Sequence, residues 1–262
     1  MSAPVEGSLA TGLSDDAGYL RVCREASADD RRFGEFRRDP EYTKVLEHVS
    51  EEQGAAYLEI IGRDAELPAM MPELCRNDRV GNPRTSIYEG LGEVSPTTLR
   101  YVKVLADLKR HFGTLEGLSI CEIGPGYGGQ CRLICACFAP ASYQLVDLEP
   151  PLGLARRYLS SFEIATEVTF RTMADLEPRR FDLVISNYAF SELRRPVQDV
   201  YLDKVVLGAE RGYITCNQIT PPEFESYRPA DLAALLPAAR LVAEEPLTYP
   251  GNCILVWGSS AP

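Results

Sequence analysis

Short apolar runs alternate with longer periodic stretches from about residue 118 to the C-terminus. Leu118, Ile120 and Ile123 read as a buried parallel strand, and the stretch 131–138 after it as a helix. Residues 143–148 read as a second strand, 168–170 as a third, 181–186 as a fourth and 212–217 as a fifth. Helical periodicity fills 152–162, part of 191–207 (where Pro196 limits the first turn) and 231–236. Residues 241–245 and 253–258 look like two closing strands. Strands and helices in alternation predict an α/β chain: a Rossmann-like, doubly wound, mostly parallel seven-stranded sheet with helices on both faces.

The first 113 residues carry a different pattern. Residues 1–40 have weak periodicity and predict an arm with a short helix near 15–24. Tyr42, Val45, Leu46, Val49, Ala56, Leu58 and Ile61 predict one or two amphipathic helices, and 70–75 a further short one. Residues 77–93 are Gly- and Asn-rich and read as a long loop of the kind that binds or covers ligands. Ser95 and Pro96 then open a helix, Ser95 as N-cap, with an apolar stripe through Tyr101, Val102, Leu105, Leu108 and Phe112 and a stop at Gly113. The expected organisation is an N-terminal arm and helical cap forming the substrate region over 1–113, seated on a Rossmann-like domain over 114–262.

Composition narrows the function. At 262 residues and 45% hydrophobic, the chain can build a substantial core. It has no apolar run of about 18 residues and no charged-then-apolar N-terminal leader, so the expectation is a cytoplasmic protein with no membrane partner. A net charge of −11 argues against nucleic acid, whose binding needs Lys and Arg on phosphates, and favours a small-molecule substrate. Nothing in the pattern opposes a homodimer. The 8 cysteines include no Cys-x-x-Cys pair; Cys121, Cys216 and Cys253 lie in or near strands, and no histidine is close to Cys131 and Cys135. They read as core thiols of a reducing compartment, with no metal site expected.

The chemistry concentrates where the first strand ends. Glu122 is followed by Gly124, Gly126, Gly128 and Gly129 and then a helix, an arrangement that brings backbone amides to a helix N-terminus. The glycines leave room for a ligand and permit positive φ. A carboxylate two positions before the first glycine would repel a dinucleotide pyrophosphate but attract the ammonium and sulfonium of S-adenosylmethionine. Asp147, at the end of the second strand, is suited to the ribose hydroxyls, and Thr172 and Met173 fall where an adenine edge is expected. Asn187 and Tyr188 end the fourth strand beside the expected methyl group, and Ser191 and Glu192 open the next helix. Glu192 is the first candidate base; His48, placed on a cap helix, is the second. His111, at a helix C-terminus, reads as structural.

Several stretches together resemble the sugar O-methyltransferase family of class I methyltransferases: residues 81–83, 95–101, 122–130, 186–193 and 249–252. The blocks Asn-Tyr-Ala-Phe-Ser-Glu-Leu and Ser-Pro-Thr-Thr-Leu-Arg-Tyr are the more particular, and the resemblance spans about residues 77–258. It implies S-adenosylmethionine as donor and a hydroxyl acceptor on a sugar or sugar-bearing metabolite. It also implies that Tyr127, Gln130 and Leu148 join the cofactor site, and that Asn82, Arg100, Tyr101, Tyr188 and Tyr249 face the substrate. Arg100 is a candidate for the donor carboxylate or an acidic substrate group. The rivals are a carboxylate or amine acceptor on a natural product, an NAD-linked oxidoreductase, and a non-catalytic nucleoside-binding protein.

Overall fold

The computed structural model describes residues 12–13 and 15–259. Its first part is helical: α1 (Ala17–Ala28), α2 (Asp30–Glu35), α3 (Pro40–Val45), α4 (Glu51–Ile61) and α5 (Leu67–Leu74), then a hairpin of β1 (Ser86–Tyr88) and β2 (Gly92–Val94), then α6 (Pro96–Phe112). Asp16 caps α1 through its side chain, and Ser50 and Gln53 form a reciprocal capping box on α4. The segment expected as a ligand loop is therefore a turn of 3₁₀ helix and a short hairpin. Ser95 precedes α6 without capping it: its hydroxyl accepts from Arg37 Nη2 at 3.3 Å, while its amide donates to Asp78 at 2.8 Å. His48 lies in the connection between α3 and α4 rather than on a helix.

The second part follows the predicted alternation: β3 (Ser119–Ile123), α7 (Gly129–Cys137), β4 (Ser142–Val146), α8 (Glu149–Leu159), β5 (Val168–Arg171), β6 (Leu183–Asn187), α9 (Arg195–Tyr201), β7 (Arg211–Cys216), α10 (Pro229–Ala234), β8 (Arg240–Ala243) and β9 (Cys253–Trp257). The sheet has 7 strands in the order β5-β4-β3-β6-β7-β9-β8. The pairs β3–β4, β3–β6, β4–β5 and β6–β7 are parallel, whereas β9 is antiparallel to β7 and β8. The sheet is thus mostly parallel but mixed: the first strands follow the doubly wound order, and a reversed strand is inserted near one edge.

Side chains alternate faces along each strand, so the two faces bury different sets. Ile120, Tyr143, Leu145, Leu183, Ile185, Tyr213 and Val256 pack with the cap, α6, α7 and α8. Cys121, Val184, Ile214, Leu255 and Trp257 pack with α9, the turn after it and α10. The larger core runs from Tyr19 to Val256, so the cap and the sheet share one interior. A buried polar cluster ties the cap together. Arg37 is fully buried, and its guanidinium donates to Glu47 at 2.6 Å, Asp78 at 3.2 Å and the carbonyl of Asn77 at 3.1 Å. All 8 cysteines are free thiols. Among the described residues no cluster of His, Cys, Asp and Glu could hold a metal, and no helix is long and apolar enough to cross a membrane.

Candidate ligand-binding site at the carboxyl edge of the sheet

Where β3, β4, β6 and β7 end, the cap leaves a cavity of about 610 Å³. Its position outside the carboxyl ends of parallel strands is where open α/β sheets bind ligands. Most of the residues expected to carry chemistry line it: Glu122, Gly124, Gly126, Asp147, Asn187, Tyr188, Glu192, His48, Arg100, Tyr101 and Tyr249.

The glycine turn adopts the expected backbone for a different reason. Gly124 and Gly126 have φ of 70° and 58°. A Cβ on Gly124 would stand 2.1 Å from Ala189 Cβ, and one on Gly126 would stand 2.6 Å from Leu46 Cδ1. The protein itself fills the space next to these positions. The Gly124 amide is also committed, donating to the carbonyl of Val146 at 2.9 Å.

Glu122 is buried, and its Oε2 accepts from the Tyr143 hydroxyl at 2.8 Å. Burial raises its pKa to about 7; the Tyr143 hydrogen bond opposes that shift and Asp147 adds to it. Asp147 is also pushed to about 7, again chiefly by burial, although its Oδ1 accepts from the Leu148 amide at 2.7 Å. Two carboxyl groups with no salt-bridge partner among the described residues therefore line one cavity.

At the end of β6 the chain turns sharply. Tyr188 has φ of 67°, its amide donates to the carbonyl of Thr215 at 3.0 Å, and the Ser186 hydroxyl both donates to the carbonyl of Ile123 and accepts the Phe190 amide. The Tyr188 hydroxyl donates to Glu244, and its pKa is raised by burial and by that carboxylate, so it stays protonated. Glu244 also accepts from the Thr248 amide at 2.9 Å, the Thr248 hydroxyl at 2.8 Å and Asn252 Nδ2 at 3.1 Å. Glu192 Oε1 accepts from Asn217 Nδ2 at 2.6 Å. His48 has its pKa lowered to about 4 by loss of hydration and by Arg100, which leaves it neutral at pH 7.

Other expected residues lie elsewhere. Tyr127 is fully buried among Phe36, Tyr101 and Tyr158, where its hydroxyl accepts from Asn77 at 3.0 Å. Gln130 is buried and donates to the carbonyl of Tyr101 at 3.3 Å. Gly128 packs against Leu159 at the start of α7. Asn82 is exposed beside Arg38, which donates to its carbonyl at 2.9 Å. Thr172 donates to Asp175 at 2.7 Å. Neither these five nor Leu148 and Met173 line the cavity.

The cavity also gathers residues that were not among the expected site residues, among them Asp15, Tyr19, Tyr57, Asn217, Thr248 and Asn252. Asn217 follows the last residue of β7, so the strand-end rule applied to every strand would have found it. The others come from the cap and from the segment between β8 and β9, which sequence spacing does not connect.

No family model and no curated protein matches this chain. Solved structures similar to it include magnesium protoporphyrin IX methyltransferase from Synechocystis PCC 6803 with bound S-adenosylhomocysteine, at 15% identity and a TM-score of 0.45, covering 82% of this chain and 97% of that one. The methyltransferase domain of bacterial CtHen1 is similar at 13% identity and a TM-score of 0.45, over 60% of this chain and 96% of that one. Phosphoethanolamine N-methyltransferase 2 of Haemonchus contortus, in complex with S-adenosyl-L-methionine, is similar at 18% identity and a TM-score of 0.42, over 54% and 38%. These structures are methyltransferases.

Proposed function

We propose that the cavity binds S-adenosylmethionine and that the protein transfers its methyl group to a hydroxyl of a small molecule. The observation that carries this reading is the pair Glu122 and Asp147. They stand at the ends of adjacent strands, on either side of a glycine turn, and line one cavity. Burial raises the pKa of both carboxyl groups, against the hydrogen bonds each accepts. Glu122 suits the donor's ammonium, and Asp147 suits the ribose hydroxyls of its adenosine. A pyrophosphate in the same place would meet both carboxylates, which disfavours a dinucleotide.

Bound there, the donor supplies a methyl on cationic sulfur; the C–O bond forms as the C–S bond breaks, and that electron pair stays on sulfur. The chain's own part is to orient the acceptor, exclude water and accept a proton. Glu192 is the proposed base, fixed by Asn217. His48 is a weaker choice, because a pKa near 4 makes it a poor proton acceptor at neutral pH. Asn187 and Tyr188, on their sharp turn, would position the reacting groups.

The resemblance of 95–101 and 186–193 to the sugar O-methyltransferases supports a sugar or sugar-bearing acceptor, as do the amide and hydroxyl groups of Asn217, Thr248 and Asn252 on the wall. The test is calorimetric titration with S-adenosylhomocysteine and, separately, NADH. One site per chain for the nucleoside, weakened by Asp147→Ala, with no uptake of NADH, is the expected result. A wild-type chain that binds no S-adenosylhomocysteine would overturn the reading.

A further inference from the structure

Arg100 projects from the first turns of α6 into the cavity, where neither the donor-binding carboxylates nor the proposed base employ it. Its Nη2 donates to the carbonyl of Leu46 at 3.2 Å, and its guanidinium lies 5.6 Å from the Tyr101 ring centre. Among the described residues no carboxylate oxygen stands within 4.0 Å of it. Arg100 is half-buried, and the two buried arginines are different. Arg37 is paired with Glu47 and Asp78, and Arg132 with Glu73 at 2.7 Å. A guanidinium partly withdrawn from water favours an anion that meets it, so one with no carboxylate partner at a cavity wall is a waiting anion site.

Arg100 enters the cavity from the cap, carried by α6 and held by the Leu46 carbonyl after α3, whereas Glu122 and Asp147 enter from strand ends of the sheet. Loss of hydration works against the Arg100 charge, and Tyr101, Tyr57, Tyr188 and Glu47 favour it. Burial is the chief cause of the raised pKa of both Glu122 and Asp147, with Asp147 adding to the first and Asp15 to the second, and Arg100 is not among the causes for either.

A second group points to the same ligand. Asn252 is 8% exposed and lines the cavity. Its Nδ2 is fixed by Glu244 at 3.1 Å and Thr248 at 3.0 Å, which sets the amide orientation. Its Oδ1 is buried with no hydrogen-bond partner among the described residues, as is Asn187 Oδ1 on the same cavity wall. Buried acceptors of this kind call for a donor from outside the chain.

We propose that the acceptor is a polyhydroxylated carboxylic acid, such as a sugar acid. Its carboxylate docks on Arg100, one hydroxyl donates to Asn252 Oδ1, and another is the one methylated. This rests on the methyltransferase reading and adds the substrate class to it. A monoanion fits better than a phosphate dianion, because Asp15, Glu122, Asp147 and Glu192 share the cavity and repel extra negative charge.

The test measures binding of D-glucuronate, D-glucose and glucose 6-phosphate by ligand-observed NMR, with and without S-adenosylhomocysteine. Glucuronate should bind about 10-fold tighter than glucose, the worth of one charge-assisted contact. Arg100→Gln should abolish that preference, Arg100→Lys should keep part of it, and both should bind S-adenosylhomocysteine as the wild type does. Equal binding of glucuronate and glucose overturns the proposal, as does a preference for glucose 6-phosphate. So does an Arg100→Gln variant that loses S-adenosylhomocysteine while its sugar preference is unchanged, since Arg100 then serves the donor. Absence of S-adenosylhomocysteine binding by the wild type strikes the donor reading instead, and the Arg100-dependent preference for the acid is still read without it.

Discussion

Tyr143 and Glu122 face the same side of the sheet from adjacent strands, and the Tyr143 hydroxyl donates to Glu122 Oε2 at 2.8 Å. It is the hydrogen bond that favours the charged form of a carboxyl group otherwise held near neutrality by burial. Tyr143→Phe should therefore raise the Glu122 pKa further and leave it largely protonated at pH 7. Affinity for S-adenosylmethionine should fall about 10-fold at pH 7, one pKa unit's worth, and recover near pH 9. Calorimetry at the two pH values checks this, and a loss that does not depend on pH would assign Tyr143 a packing role only.

The raised pKa values of Glu122 and Asp147 also set a pH dependence for the whole chain. Both lie near 7 in the folded protein, above the values of an unfolded chain. Their contribution to stability is thus fully present at low pH and is lost as pH rises from about 4 through 7. A bound cation reverses the balance by favouring the ionised forms. The gain in Tm on adding S-adenosylmethionine should be larger at pH 8 than at pH 6, and binding near pH 7 should release protons. Thermal unfolding and calorimetry in buffers of different ionisation enthalpy measure the two effects. Glu122→Gln with Asp147→Asn should flatten both.

Much of this was legible in the sequence because parallel strands leave strong local marks. Ile120 and Ile123 bracket Glu122 in an apolar run, and the glycines after it fix where the strand ends and α7 begins. Asp147 and Asn187 could then be placed at the sheet's edge by the strand-end rule alone. The cap was harder. The strands of its hairpin are only three residues each, and Ile87 on the first is 79% exposed, so no apolar alternation announces them. Ser95 looked like an N-cap because its neighbour is Pro96; nothing local shows that Arg37, far back in the chain, takes its hydroxyl. Tyr127 sits inside the glycine motif yet turns inward, because aromatic packing with Phe36 and Tyr158 outweighs proximity to the ligand cavity. Asn252 gains its meaning from Glu244 and Thr248, a contact made only once β8 and β9 pair.

The cap's own integrity hangs on Arg37. Its guanidinium satisfies Glu47, Asp78 and a backbone carbonyl without access to water, and it lies 4.9 Å from the Tyr127 ring centre. Arg37→Met should leave the buried Glu47 without its cation and the half-buried Asp78 with only the Ser95 amide and Thr98 hydroxyl, and cost about 3 kcal/mol of stability. Urea unfolding gives the number. Because Glu47 and Asp78 do not line the cavity, any variant that remains folded should still bind S-adenosylhomocysteine.

Catalysis gives the last discrimination. If Glu192 accepts the acceptor's proton, Glu192→Gln removes the base while keeping the size of the side chain, and an amide can still meet Asn217 through its oxygen. Turnover should then fall by about 10²–10⁴-fold, with little change in KM for the donor. The basic limb of the pH–rate profile should reappear as slow reaction driven by solvent hydroxide, rising with pH where the wild type has levelled off. His48→Gln should leave kcat within about twofold, since an imidazole with a pKa near 4 contributes little proton affinity at pH 7. A Glu192→Gln variant with wild-type turnover at every pH would remove the residue from the base's role. It would also redirect attention to an acceptor that is already ionised, for which orientation by the cavity suffices.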